Sequence, residues 1–246
     1  MAQDYRTPYS VGAGTAAEID QGLRSYMLGV YNYMASGVLL TGIIALLVSN
    51  MAVTDAGELT SFGQAIYMSP LKWVVLFAPL GLVLLMSFGV NKLSVFALQA
   101  TFWVYAALMG LSLSSIFMIY TGESIARVFF ISAAMFGSLS LYGYTTKRDL
   151  GPVGKFLFMG LIGIIIASVV NLFVASSMLS FVVSVIGVLV FAGLTAYDTQ
   201  RIKEQYYEGH GEETLAKLSL MGALTLYLDF INLFLMMLRL FGSSRE

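Results

Sequence analysis

Charged residues divide this chain into long apolar intervals. No Asp, Glu, Lys or Arg occurs within 25–54, 73–91, 93–122 or 128–146, and the interval 156–197 runs for 42 residues. A helix needs about 20 apolar residues to cross the hydrocarbon of a bilayer. The longest interval therefore holds two crossings and the other four hold one each. A further segment, LSLMGALTLYLDFINLFLMML from Leu218 to Leu238, is apolar apart from one carboxylate at its centre, Asp229. The pattern predicts spans over about Tyr26–Met51, Leu71–Val90, Val95–Ile119, Ser124–Tyr144, Phe156–Ala175, Leu179–Tyr197 and Ser219–Leu240. The breaks between them read VTDAGELTSFG, NKLS, YTGE, TTKRDLGPVGK and ASSM. A membrane β-barrel would instead show alternating segments of about 10 residues with polar interior positions, and these are absent. The expected fold class is an all-α integral membrane protein of seven transmembrane helices. Residues 26–242 form one transmembrane domain, after a segment of residues 1–25 and before a tail of residues 243–246.

Composition supports this. Of the 246 residues 58% are hydrophobic and only 11% charged, against about 25% charged in soluble domains. The net charge of −1 gives no reason to expect nucleic acid as a partner. The absence of cysteine removes disulfides, thiolate catalysis and zinc–thiolate sites. Asp4, Arg6, Glu18, Asp20 and Arg24 precede any apolar run, unlike a cleavable signal peptide, so the first span is expected to be retained. With a cytoplasmic N-terminus, that side receives Arg6, Arg24, Lys92, Lys147, Arg148, Lys155, Arg201, Lys203 and Lys217. The other side receives Lys72, Arg127, Arg239 and Arg245. Nine cations against four place the N-terminus inside. Seven crossings then put the C-terminus outside, although the basic tail leaves a re-entrant last helix open.

Helices associate in lipid through close backbone approach and interhelical hydrogen bonds. Small residues spaced for such packing occur at Ala133/Gly137 and Gly163/Ala167, and Asn32, Gln99 and Asn171 are candidate buried amides. Pro79 is expected to kink the second helix. His210, the single histidine, lies in the loop YYEGHGEE with no second ligand, so a transition-metal site is not expected.

Asp229 carries the candidate chemistry. A charge at the centre of a spanning helix costs roughly 2.5–3.5 kcal/mol, and such residues face a protein interior or a wet cavity. Thr225, Asp229, Asn232 and Met236 share one helical face. Ser184, Gly187, Phe191, Thr195 and Asp198 form a comparable stripe on the sixth span. One loop joins the two helices, so the faces can meet and bring Asp198 to Asp229. Two carboxylates at short range in low dielectric cannot both ionise cheaply and share one proton. Such a pair can sense pH, attract a hard cation such as calcium, or activate water. Calcium prefers six to eight oxygens, so two Asp make a weak, transient site suited to passage. Thr195, Tyr197, Arg201, Thr225, Tyr227 and Asn232 are the supporting polar candidates. The plainer alternative is that each Asp bonds a nearby Tyr, Asn or backbone group, with Arg201 three residues from Asp198.

These residues match a known pattern. Gly193-Leu194-Thr195-Ala196-Tyr197-Asp198-Thr199-Gln200 resembles the signature of the sixth helix in the Bax inhibitor-1 family. The stretch from Ala223 to Phe234, ALTLYLDFINLF, resembles that family's last helix, and Arg24–Met34 looks like its bacterial members. The resemblance implies a seven-helix fold whose last helix is central, surrounded by the other six. It implies a pH-sensitive calcium leak in which Asp198 and Asp229 sense protons, in a bacterial inner membrane and without a cofactor. Some bacterial relatives modulate a membrane-anchored quality-control protease, so such a protease is a candidate partner. Leak-forming members carry an acid and an arginine in or near the second helix. Here WVVLFAPLGLVLLMSFGVN has neither, and only Lys92 follows it.

Three readings result. The first is a calcium leak gated by the aspartate pair. The second is a non-conducting regulator of a membrane-anchored protease or other integral partner. The third, an intramembrane aspartyl protease, rests on Tyr197-Asp198 and the later Asp229, which resemble presenilin-type enzymes. Leu226-Tyr227-Leu228 stand where those enzymes carry Gly-x-Gly, and their Pro-Ala-Leu segment is missing. The chain is therefore expected not to be an enzyme.

Overall fold

A computed structural model describes residues 16–54 and 57–245. Asp4, Arg6 and most of the N-terminal segment lie outside the described residues. The chain is helical: α1 (Ala16–Ala52), α2 (Ser61–Tyr67), α3 (Leu71–Gly89), α4 (Val95–Leu113), α5 (Ile116–Ile119), α6 (Gly122–Thr145), α7 (Gly151–Val174), α8 (Ser177–Glu204) and α9 (Glu212–Phe241). Among the described residues seven spans are long and apolar enough to cross a membrane, with α4 and α5 counted as one.

Four of the five breaks between apolar runs start helices with a hydroxyl side chain. Thr60, Ser94, Thr121 and Ser176 accept the backbone N–H of Gly63, Ala97, Ser124 and Leu179, satisfying donors that a helix N-terminus otherwise leaves open. The ASSM break is closed further by Asn171, whose Oδ1 accepts from Ser176 N at 2.9 Å and whose Nδ2 donates to Ser180 Oγ at 2.7 Å. Ala175 takes the left-handed conformation there, ending α7.

Helix α9 is the centre. It packs against α1, α4, α6 and α8, whereas α3 lies on α4 and α7 lies on α8. The expected ring of six around the last helix is thus four direct neighbours and two outer helices. Most of the apolar window of α9 is buried and almost none of that of α7 is, so α7 presents Phe158, Met159, Ile165 and Val169 outward at membrane depth. Edge-on aromatic pairs join α6 to α9, Phe129–Phe234 at 6.0 Å and Phe136–Phe230 at 5.6 Å.

Several expectations change. Gly137 and Gly163 have open space beside them, so neither predicted small-residue pair marks a tight crossing. The tight crossings are at Gly143, where a methyl would strike the backbone of Ala196, and at Gly110, where it would strike the carbonyl of Thr41. Asn32 is exposed, Gln99 is half-buried, and Asn171 serves its local turn. The sixth helix does not end at Tyr197 but continues to Glu204, which sets Asp198 inside it. Nor is the last helix re-entrant: α9 runs unbroken to Phe241. The tail pairs instead with the α5–α6 connection, through Thr121 N to Ser243 O at 3.0 Å and Arg245 N to Ile119 O at 2.9 Å.

Candidate functional site

The register between α8 and α9 is set by two glycines. A methyl on Gly187 would meet Met236, and one on Gly222 would meet Ile202, each at 2.9 Å. These close approaches bracket the crossing and set Asp198 about one helical turn from the level of Asp229. Their carboxyl groups lie within hydrogen-bonding reach of each other. Both residues are buried, Asp198 at 7% and Asp229 at 5% exposure. Among the described residues no donor group reaches Oδ2 of Asp229. A direct hydrogen bond between two carboxyl oxygens requires a proton on one of them.

The lower part of α8 is anchored on three sides. Gln200 accepts the N–H of Leu150 at 2.9 Å and donates to the carbonyl of Arg148 at 2.8 Å, clamping the α6–α7 loop. Lys203 donates to the carbonyl of Tyr144 at 2.8 Å. Thr199 donates to Thr195 O at 2.7 Å, which leaves Ser140 to donate to Thr199 at 2.9 Å and Tyr31 to donate to Ser140 at 2.7 Å. One hydroxyl chain therefore ties α1 and α6 to the turn beside Asp198.

On the other side the pair faces a cavity of about 1090 Å³ between α7, α8 and α9. Of the predicted residues, Asp198, Asp229, Tyr197, Arg201, Thr225 and Asn232 line it. The guanidinium of Arg201 stands 3.7 Å from Asp198. This is ion pairing without a short hydrogen bond. Thr225 and Asn232 bond back into their own helix, to Met221 O at 3.1 Å and Leu228 O at 2.8 Å. The amide oxygen of Asn232 is left for the cavity.

Two predicted residues do not belong. Thr195 is fully buried and donates to Phe191 O at 2.8 Å within α8. Tyr227 points to the far side of α9, where its hydroxyl meets Thr41 at 2.6 Å and its ring packs on Tyr105. It braces α1 and α4 against the centre.

The missed residues are on α7. Gly154, Phe158, Leu161, Ile165 and Ser168 form one helical stripe along the cavity, with Lys155 at its mouth. That spacing was readable, but the stripe bears no charge to distinguish it from a lipid-facing one. His210 lies edge-on to Tyr207, with ring centroids 5.4 Å apart. No group of three or more His, Cys, Asp or Glu suited to a metal occurs among the described residues.

The sequence as a whole has relatives. The family described as "Inhibitor of apoptosis-promoting Bax1" matches residues 23–246. The uncharacterised protein RP147 of Rickettsia prowazekii is 51% identical over 230 residues, 92% of this chain and 93% of that one. The inner membrane protein YbhL of Escherichia coli is 49% identical over 226 residues, 91% of this chain and 94% of its own. An uncharacterised membrane protein of Streptococcus pyogenes, SpyM3_0260, is 37% identical over 231 residues, covering 92% and 95%. Seven apolar helices around a central α9 and a match over nearly the whole chain lead to one conclusion: this integral membrane protein belongs to the Bax inhibitor-1 family.

Proposed function

We propose that this chain is a proton-controlled calcium leak of a bacterial inner membrane, with the Asp198–Asp229 pair as its sensor. The observation that carries this reading is the placement of two buried carboxyl groups side by side on the wall of the α7–α8–α9 cavity. With one proton between them the pair is a monoanion that holds α8 to α9. Removing that proton sets two negative charges against each other in low dielectric, which favours separation of the helices and entry of a cation. The cation beside the pair is Arg201 of α8, and Lys155 of α7 lines the same cavity. From α6 the contacts on α8 are the uncharged Ser140, Gly143 and Tyr144. Calcium would find the two carboxylates and the Asn232 amide oxygen, too few for tight binding, so water completes its shell and the ion passes. No cofactor and no enzymatic step enter this reading. The bias of Lys and Arg favours a cytoplasmic N-terminus and α8–α9 loop.

A second reading, a non-conducting regulator of a membrane-anchored protease or other integral partner, draws on α3. That helix carries neither acid nor arginine and packs on α2 and α4, not on the aspartate helices.

Calcium flux against pH in liposomes holding the purified chain separates the two. The leak reading expects flux that changes with pH around neutrality in the wild type and a flat profile in Asp198→Asn and Asp229→Asn. Absence of flux at every pH favours the regulator. An unchanged profile in Asp229→Asn overturns the role of the pair.

A further inference from the structure

The cavity that holds the aspartates has a second character: most of its wall is apolar, and it opens beside a helix that faces lipid. Phe158, Met159, Ile165 and Val169 of α7 are all about half exposed or more, and all line it. A cleft with such walls at membrane depth is better filled by hydrocarbon than by water. From Lys155 to Val169 it follows α7 for about 21 Å at 1.5 Å per residue, longer than the roughly 15 Å depth of one leaflet's hydrocarbon. An acyl chain fits along it.

The mouth is cationic. Lys155 and Arg201 line the same end of the cleft, and the Gln200 clamp brings the loop bearing Lys147 and Arg148 onto α8 beside them. Among the described residues no carboxylate pairs with Lys155, Lys147 or Arg148. The nearby Asp149 is engaged by the backbone N–H of Gly151 at 2.7 Å. Arg201, 58% exposed and 3.7 Å from Asp198, keeps N–H donors to spare. Basic pockets between membrane helices at the cytoplasmic face suit phosphate headgroups.

We propose that the α7–α9 cleft is a binding site for an anionic phospholipid, its acyl chain along α7 and its phosphate between Lys155 and Arg201. A bound lipid covers the outer side of the aspartate pair and offers Arg201 a phosphate in place of Asp198, so the membrane itself becomes a ligand of the site. Binding does not depend on whether the chain conducts calcium, and the test reads binding alone.

The test is native mass spectrometry of the full chain released from micelles containing phosphatidylglycerol and phosphatidylcholine with identical acyl chains in equal amounts. At about fivefold per cation near an anionic headgroup, the wild type should retain phosphatidylglycerol in preference by on the order of twentyfold. Lys155→Glu, an exposed change that leaves the bundle intact, should bring the two lipids to near parity. Lys92→Glu, at the same membrane face but outside the cleft, should keep the preference. Ser168→Phe, which fills the cleft, should lower retention of both lipids. Equal retention by the wild type overturns the site. So does an undiminished preference in Lys155→Glu, an equal loss in Lys92→Glu, or displacement of the lipid by soluble glycerol phosphate at comparable concentration.

Discussion

Tyr227 and Asp229 stand two residues apart on α9, about 200° around the helix, and they meet opposite surroundings. Tyr227 is fully buried between α1 and α4, its ring 5.2 Å from that of Tyr105 and 6.4 Å from that of Phe102. Its hydroxyl donates to Thr41, whose own hydrogen is given to Ala106 O at 2.8 Å. Asp229 is nearly as buried, yet one carboxyl oxygen receives no donor and the cavity lies in front of it. One helix thus has a face that is closed by packing and a face that is left open to a cavity. Stability should reside on the first face and pH response on the second.

The largest stability effect is expected from Tyr227→Ala. It removes a fully buried aromatic at the junction of three helices, and truncations of this kind cost about 3–5 kcal/mol. Denaturation by sodium dodecyl sulfate, followed by circular dichroism, reads this as a lower midpoint. A wild-type midpoint would mean that the closed face is no core at all.

Next comes Gly143→Ala. The added methyl would strike the backbone of Ala196, which has no flexible side chain to yield, so α6 must move from α8. Overpacking of this kind costs roughly 1–3 kcal/mol. Gly163→Ala, with open space beside it, should leave the same midpoint unmoved. If both behave alike, close approach at Gly143 is not what holds the two helices.

That pair of glycines shows what the sequence could and could not disclose. The spans were legible because crossing a bilayer imposes a length and forbids charge, and each predicted segment falls on a helix. Ser94 and Thr121, which cap α4 and α6, stand in breaks that the sequence showed. Asp198 and Asp229 were conspicuous as charges, and the two predicted stripes do meet at Gly187–Met236 and at the aspartates. Which small residues touch is a different kind of fact. Gly143 and Gly163 look equivalent along the chain, and only the placement of α8 against α6 distinguishes them. Tyr227 misled because it adjoins Asp229 in sequence, while two residues of helix turn it to the other side. The α7 wall was missed because a lipid-facing stripe and a cavity-facing stripe share one composition.

Tyr227→Phe should have a smaller effect. Thr41 keeps its bond to Ala106, so only the phenolic donor is lost and nothing buried is left as an unmatched donor. Single interhelical hydrogen bonds in membranes average about 0.6 kcal/mol, and a shift of that size in the same titration is expected. A loss as large as that of Tyr227→Ala would move the importance of this residue from its ring to its hydroxyl.

The smallest stability change belongs to Asp229→Asn, and it makes the sharpest contrast. The amide can donate to Asp198 where the proposed shared proton would stand, so a link between α8 and α9 is kept. The oxygen without a donor is also replaced by a group that carries no charge. The denaturation midpoint should move by less than the ~0.6 kcal/mol of one membrane hydrogen bond, while the pH dependence of calcium flux is lost. Both measurements belong on one preparation. A variant that unfolds as readily as Tyr227→Ala would show that Asp229 is structural like its neighbour and that the open face is not separate from the closed one. A stable variant with a flat pH profile would mean that α9 keeps its folding and its chemistry on opposite sides.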